Sequence, residues 1–289
     1  MALSNAKGGV ASAQELKAEM LIRKANGETQ EFDEGKVRAS LINSGASDAL
    51  TERVLGRLLP LVGAGTTTKQ IYSNAFSILR SERTKVAYRY KLKQAVLQLG
   101  DTGYPFERLI AEVFALQGFD AAVGQFVDGR CIQHEVDVIA RRTGDVRYME
   151  CKYSTNRLKV LSIQTPLYVH ARMLDVIAKH NPSGSESSGW LVTNMRFSSD
   201  SIEYAKCVGL KLLGWEYPEG GGLRTEMDRL EIYPITLLHH LNKHQKSRLI
   251  ERDIVTCRQL GEQVSALEEL HLSDSTLNQV KREVSIILG

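Results

Sequence analysis

The 289-residue sequence predicts an α/β protein with an open mixed sheet flanked by helices, preceded by a mainly helical module and followed by a small helical tail. Three observations predict this. Short segments of alternating character cluster in the middle of the chain, and apolar residues recur at three- and four-residue spacing on both sides of it. Breaks at Gly100-Asp101-Thr102-Gly103 and Pro218-Glu219-Gly220-Gly221-Gly222 separate these regions. The expected organisation is an N-terminal arm over 1–19, a first domain over 20–100, a second over 104–216, and a helical C-terminal domain over 223–289.

Composition narrows the classes. Hydrophobic residues at 43% and charged residues at 25% exclude a disordered, collagenous or disulfide-scaffold chain. Lys and Arg number 37 against 34 Asp and Glu, so overall charge does not announce a nucleic-acid partner. Cys131, Cys151, Cys207 and Cys257 are far apart and form no CxxC pair, as expected of reduced, mostly packed thiols. The first twenty residues lack the apolar stretch of a secretory leader and no later stretch is long enough for a membrane span, so a cytoplasmic protein without a membrane partner is expected.

The first domain opens with MLIRK, a turn at Asn26-Gly27 and a polar return to Phe32, the pattern of a hairpin. Val37 and Leu41, then Leu50, Val54, Leu58 and Leu59, then Ile71, Ala75 and Leu79, mark amphipathic helices. A fourth helix, from about Arg83 to Leu99, carries Arg83, Lys85, Arg89, Lys91 and Lys93.

In the second domain Phe106, Leu109, Ile110, Val113 and Phe114 define one apolar helix face, stopped near Gly118. HEVDVIA (134–140) and VRYMECKY (146–153) around Gly144-Asp145 predict two antiparallel strands. A helix from about Pro166 to Lys179, the loop NPSGSESSG, the strand WLVT, a helix capped by Asp200 and stopped at Gly209, and the strand LKLLGW complete the pattern.

Alternation in the two strands puts Glu135, Asp137 and Ile139 on one face of the first, and Glu150 and Lys152 on one face of the second. Pairing them brings Asp137 near Glu150. Phosphodiester hydrolysis requires a hard cation, and Mg²⁺ is held by one or two carboxylates plus water and substrate oxygens. Asp137 and Glu150 suit that role, and the Lys152 ammonium suits the task of polarising the attacking water or stabilising developing negative charge.

With these residues the sequence resembles the PD-(D/E)xK nuclease superfamily, and more closely the Mrr-like restriction endonuclease catalytic domain. Five features carry the resemblance in order: Glu107 on the opening helix, the VDVIA strand with Asp137, the triplet Glu150-Cys151-Lys152, the pair Gln164 and Tyr168, and the segment TNMRFSSDSIEYAKCVGLKLLGW. The resemblance implies that Asp137 and Glu150 ligate Mg²⁺ or Mn²⁺ and that Lys152 is catalytic. It further implies that Glu107 is an accessory ligand or orients water, and that Gln164 positions DNA or the metal shell. His134 and Glu135 fall outside this expected site.

Residues 20–100 resemble the ATP-cone, a nucleotide-binding regulatory module of ribonucleotide reductases, through IRKANGETQEFDEGKV and the helix start TTTKQI. Lys24 and Lys36 flank a hairpin and a helix start, where backbone amides and cations can meet phosphate oxygens. The resemblance implies nucleotide contacts by Lys24, Lys36 and Thr68, with Gln30 and Asp33 at further contact positions and a late basic residue, Arg89 or Lys91. In the tail, Thr256 and Gln259 match a capping box. The tail distantly resembles helix-hairpin-helix modules but lacks their glycine hairpin at HLSDS.

The expected function is a Mg²⁺-dependent deoxyribonuclease of the type II or IV restriction class. Its partner is double-stranded DNA, its regulatory ligand ATP or dATP, and its expected state a homo-oligomer. The alternative is a nucleotide-sensing DNA-binding regulator whose nuclease-like fold does not cut.

Overall fold

A computed structural model describes residues 21–24, 27–82, 84–180 and 186–289. The expected N-terminal arm, Asn26 of the first turn, Arg83 and residues 181–185 of the Pro/Gly/Ser loop lie outside the described residues. The chain divides into two compact units between Lys91 and Leu92, inside a helix and ahead of the glycine-rich break.

The first unit opens with strands β1 (Leu21–Arg23) and β2 (Thr29–Glu31), paired antiparallel with Ile22 opposite Gln30. Helices α1 (Glu34–Ile42), α2 (Asp48–Leu58) and α3 (Thr68–Ser81) follow, with the start of α4 (Lys85–Val96). The periodic residues Leu41, Leu50, Val54, Leu58, Ile71, Ala75 and Leu79 are all buried in one core with Ile22 and Phe32. Helices α1, α2 and α3 each start on a side-chain cap. Asp33 Oδ1 accepts the Lys36 N–H at 3.2 Å, Ser47 Oγ that of Leu50 at 3.3 Å, and Thr67 Oγ1 that of Gln70 at 3.1 Å. The cap of α3 is therefore Thr67, and Thr68 is the first helical residue.

The second unit begins its sheet domain with α5 (Tyr104–Ala115), whose face of Phe106, Leu109, Ile110, Val113 and Phe114 is buried. Gly118, at φ +86°, ends it: the Gly118 N–H bonds to Ala115 O and the Phe119 N–H to Phe114 O. The Phe114 and Phe119 rings meet edge-on at 5.9 Å, the apolar contact that accompanies such a stop. Strands β3 (Asp120–Asp128), β4 (Gln133–Arg142) and β5 (Asp145–Lys152) then run antiparallel. After a two-residue strand β6 (Val160–Leu161) come α6 (Gln164–His180), β7 (Glu186–Thr193), β8 (Arg196–Phe197), α7 (Ser199–Val208) and β9 (Lys211–Leu213).

The sheet order is β3-β4-β5-β7-β9, antiparallel on one side of β5 and parallel on the other, and β6 with β8 forms a small parallel pair. This is a mixed sheet flanked by helices, as expected. Four details differ from expectation. Strand β3 adds an edge that its composition conceals, because Gly124 at φ +62° interrupts its alternation. Helix α6 starts at Gln164 rather than Pro166, and α7 is capped by Ser198, which accepts the Ser201 N–H at 3.2 Å, rather than by Asp200. On β4, Ile139 shares a face with Asp137 yet is fully buried, because helices cover both faces there. Helix α6 approaches β7 so closely that a Cβ on Gly189 would lie 2.7 Å from Met173 Cβ.

Beyond the sheet lie α8 (Leu223–Arg229), α9 (Lys243–Ile250), α10 (Cys257–Glu262) and α11 (Asp274–Leu288), within the same compact unit as the sheet. Thr256 completes the expected capping box with Gln259, and its hydroxyl also contacts both oxygens of buried Glu112 on α5 at 2.9 Å. Burial pushes the Glu112 carboxyl up to about 7. Thr256→Val is expected to destabilise by about 1–3 kcal/mol through the orphaned acceptor, plus about 1 kcal/mol for the lost cap. Urea unfolding measures it. Among the described residues, no helix is long and apolar enough to cross a membrane.

Candidate active site

Register brings the two carboxylates together. Val138 pairs with Met149, which places Asp137 opposite Glu150 one step further on, projecting to the same side of the sheet. The registered pairs end there, and Asp137 Oδ2 takes over by accepting the Cys151 N–H at 2.7 Å.

Glu150 is only 2% exposed, and each of its oxygens faces a cation. Lys152 Nζ donates to Oε1 at 2.6 Å, and Arg172 of α6 donates to Oε2 at 2.5 Å. The Tyr168 ring, one helical turn before Arg172, lies 5.8 Å from Lys152 Nζ and 5.9 Å from the Arg172 guanidinium. Gln164 precedes Tyr168 by another turn, exposed at the start of the same helix and spaced to share its face.

Electrostatics tie Glu107, in the first turn of α5, to this cluster. Burial and the charges of Asp137, Glu135 and Glu150 push its carboxyl up to about 7, against the pull of Lys152. Burial and the Glu150 charge likewise push Asp137 up to about 6, opposed by the Cys151 N–H, Lys152 and Arg172. Burial disfavours the Lys152 charge, but its hydrogen bond and ion pair with Glu150 win and its pKa is raised. The buried Cys151 thiol is held neutral mainly by desolvation.

Among the described residues, no three His, Cys, Asp or Glu side chains form a metal-holding group. The cation candidate therefore rests on Asp137 and Glu150. They are opposed carboxylates, the oxygen donors a hard cation takes, with Asp137 raised first by burial and then by the Glu150 charge.

Sequence reasoning misses Arg172, because a basic residue on an amphipathic helix has no distinguishing neighbour; its eight-residue spacing from Gln164 is the one signal that points to it. Asp175 also escapes it, and His134, set outside the expected site, proves to be its partner. Asp175, three residues after Arg172, accepts the Cys131 and Ile132 N–H groups at 2.8 and 3.3 Å and meets His134 Nε2 at 2.8 Å. The His134 contact foremost holds Asp175 well below the usual carboxylate range. These bonds anchor the β3–β4 turn to α6, and a Cβ on Gly129 would collide with Asp175 Oδ2.

In the first unit, Gln30, Asp33, Lys36 and Thr68 line one pocket of about 190 Å³, with Phe32, Tyr72 and Tyr90 among its apolar walls. Tyr72 and Tyr90 stack at 4.6 Å. Lys24 does not line it and pairs instead with Glu28 at 3.3 Å. Nor do Arg89 and Lys91: the Lys91 ammonium sits 4.1 Å from the Phe76 ring centre. The helix start expected to offer amides to phosphate is occupied by Asp33, which also pairs with Lys36 Nζ at 3.5 Å.

Comparison with known proteins gives a consistent lineage. Residues 233–288 match the family described as AF1548-like, C-terminal. An uncharacterised protein of Archaeoglobus fulgidus is 33% identical over 183 residues, which is 62% of this chain and all of that protein. A crystal structure described as a protein of unknown function, AF1548, superposes with a TM-score of 0.54 at 31% identity, covering 64% of this chain and 98% of that one. The sheet and the helices behind it thus define an α/β protein of a class already seen in a solved structure. The chain belongs to the AF1548-like family.

Proposed function

We propose that the chain is a divalent-metal-dependent DNA endonuclease of the PD-(D/E)xK type, close to the Mrr-like enzymes, and that adenine nucleotides regulate it through its N-terminal module. The observation that carries this is the convergence of Asp137, Glu150 and Lys152 at the end of the β4–β5 ladder, with Glu107 electrostatically coupled to them.

In this reading Asp137 and Glu150 would hold Mg²⁺ or Mn²⁺, which when bound would supply charge neutralisation at the scissile phosphate and a more acidic water. Lys152, kept charged by Glu150, sets a positive charge beside the attacked phosphate. Glu107, with a carboxyl near 7, is suited to take the proton of the attacking water. Gln164, exposed at the start of α6, would position DNA or the metal shell. The test is incubation of supercoiled and linear DNA with Mg²⁺ or Mn²⁺ against EDTA.

A second reading, a DNA-binding regulator that does not cut, draws support from the engagement of both Glu150 oxygens by basic side chains. DNA retention with intact products in every metal would favour it.

The pocket lined by Gln30, Asp33, Lys36 and Thr68 supports the regulatory part. Bound ATP or dATP is expected to stabilise the full chain by about 2.7 kcal/mol at a hundredfold excess over Kd. Lys36→Ala should remove most of the resulting melting shift. Lys24→Ala, outside the pocket, should remove less, as scanning calorimetry would measure.

A further inference from the structure

Arg172 occupies a position that a cation would have to contest. It reaches Glu150 Oε2 from a different element, α6, whereas Lys152 reaches Oε1 from the next-but-one position on the same strand. With a basic side chain on each oxygen, a cation shared by Asp137 and Glu150 meets two like charges there, and its entry is eased when one of them withdraws. Lys152 is held close by its strand. Arg172 has a long side chain that is 30% exposed, and its other contact, to Glu135 O, is long at 3.5 Å. The Tyr168 ring beside it offers a surface along which the guanidinium can slide without losing its aromatic contact.

We propose that Arg172 is a displaceable counter-ion: it neutralises Glu150 before the metal arrives, is expelled by the metal, and then binds a DNA phosphate. Metal loading would thereby create a phosphate contact that the metal-free protein lacks. The inference rests on the nuclease reading, since it needs a cation on Asp137 and Glu150. Arginine suits the exchange because its planar fork pairs equally with carboxylate and phosphate oxygens.

The experiment uses the full chain, without cleavage, and compares wild type with Arg172→Ala and with the more conservative Arg172→Gln, each first checked for folding by circular dichroism. Mn²⁺ binding is titrated by calorimetry, and DNA binding is measured against salt with Ca²⁺ or with EDTA. Removing the competitor should tighten Mn²⁺ binding by at least about tenfold, the worth of a charge-assisted hydrogen bond. In Ca²⁺ the variants should lose about one unit of salt slope relative to wild type. In EDTA the slopes should coincide. Equal Mn²⁺ affinity, or the same loss of slope with and without Ca²⁺, would overturn the exchange while leaving the metal site standing. Wild-type Mn²⁺ binding that is absent, or unaffected by Asp137→Ala, would overturn both the exchange and the nuclease reading.

Discussion

Glu150→Gln and Lys152→Met are each expected to lower DNA cleavage by at least about 10²–10³-fold, the effect of losing one group that stabilises transition-state charge. Glutamine is the better probe at position 150 because alanine would leave Lys152 and Arg172 facing an emptied, largely dehydrated space. Lys152→Met removes the ammonium that lies 5.8 Å from the Tyr168 ring centre and keeps an unbranched side chain. Wild-type rates in a folded Glu150→Gln protein would remove Glu150 from the chemistry.

The second large effect is in pH. Asp137 and Glu107 hold their protons up to about 6 and about 7, mainly because burial penalises their charged forms. Unfolded carboxyls lose theirs near about 4. In that window the folded chain binds more protons than the unfolded one, so metal-free stability should fall as pH rises from about 4 to about 7. Cation binding to Asp137 must release its proton, so Mn²⁺ affinity should rise by up to about tenfold per pH unit toward about 6 and level off above it. Melting in EDTA at pH 5 and 8, and calorimetry of Mn²⁺ binding across the same range, measure both effects. Glu107→Gln should lessen the fall in stability. A metal-free chain equally stable at pH 5 and 8 would contradict these burial effects.

Much of this fold is legible in the sequence, for identifiable reasons. Alternation over HEVDVIA and VRYMECKY specifies a hairpin whose register follows from its tight turn, so the juxtaposition of Asp137 with Glu150 can be read from the residue pattern alone. The face of α5 and the capping box at Thr256 are equally readable, because helical period and cap chemistry are local. Strand β3 is not, since Gly124 breaks its pattern and its pairing partner is what makes it a strand. Asp175 and the Thr256–Glu112 bond depend on long-range packing that spacing does not encode, and Arg172 is hinted at only by its eight-residue spacing from Gln164. In the first unit, Gln30, Asp33, Lys36 and Thr68, singled out by the resemblance to the ATP-cone, line one pocket, whereas Lys24, singled out with them, does not. The competition of Asp33 for the α1 amides does not emerge from the sequence pattern, although Asp before a helix is a strong cap.

The most direct measurement is anomalous diffraction from crystals of the full chain soaked in Mn²⁺. The predicted result is a manganese peak bridging Asp137 and Glu150, within about 2.0–2.3 Å of an oxygen of each, and absent in Asp137→Ala. Manganese bound only elsewhere, or no peak between these carboxylates at pH 8, above the Asp137 value of about 6, would contradict a metal-dependent nuclease centred on this pair.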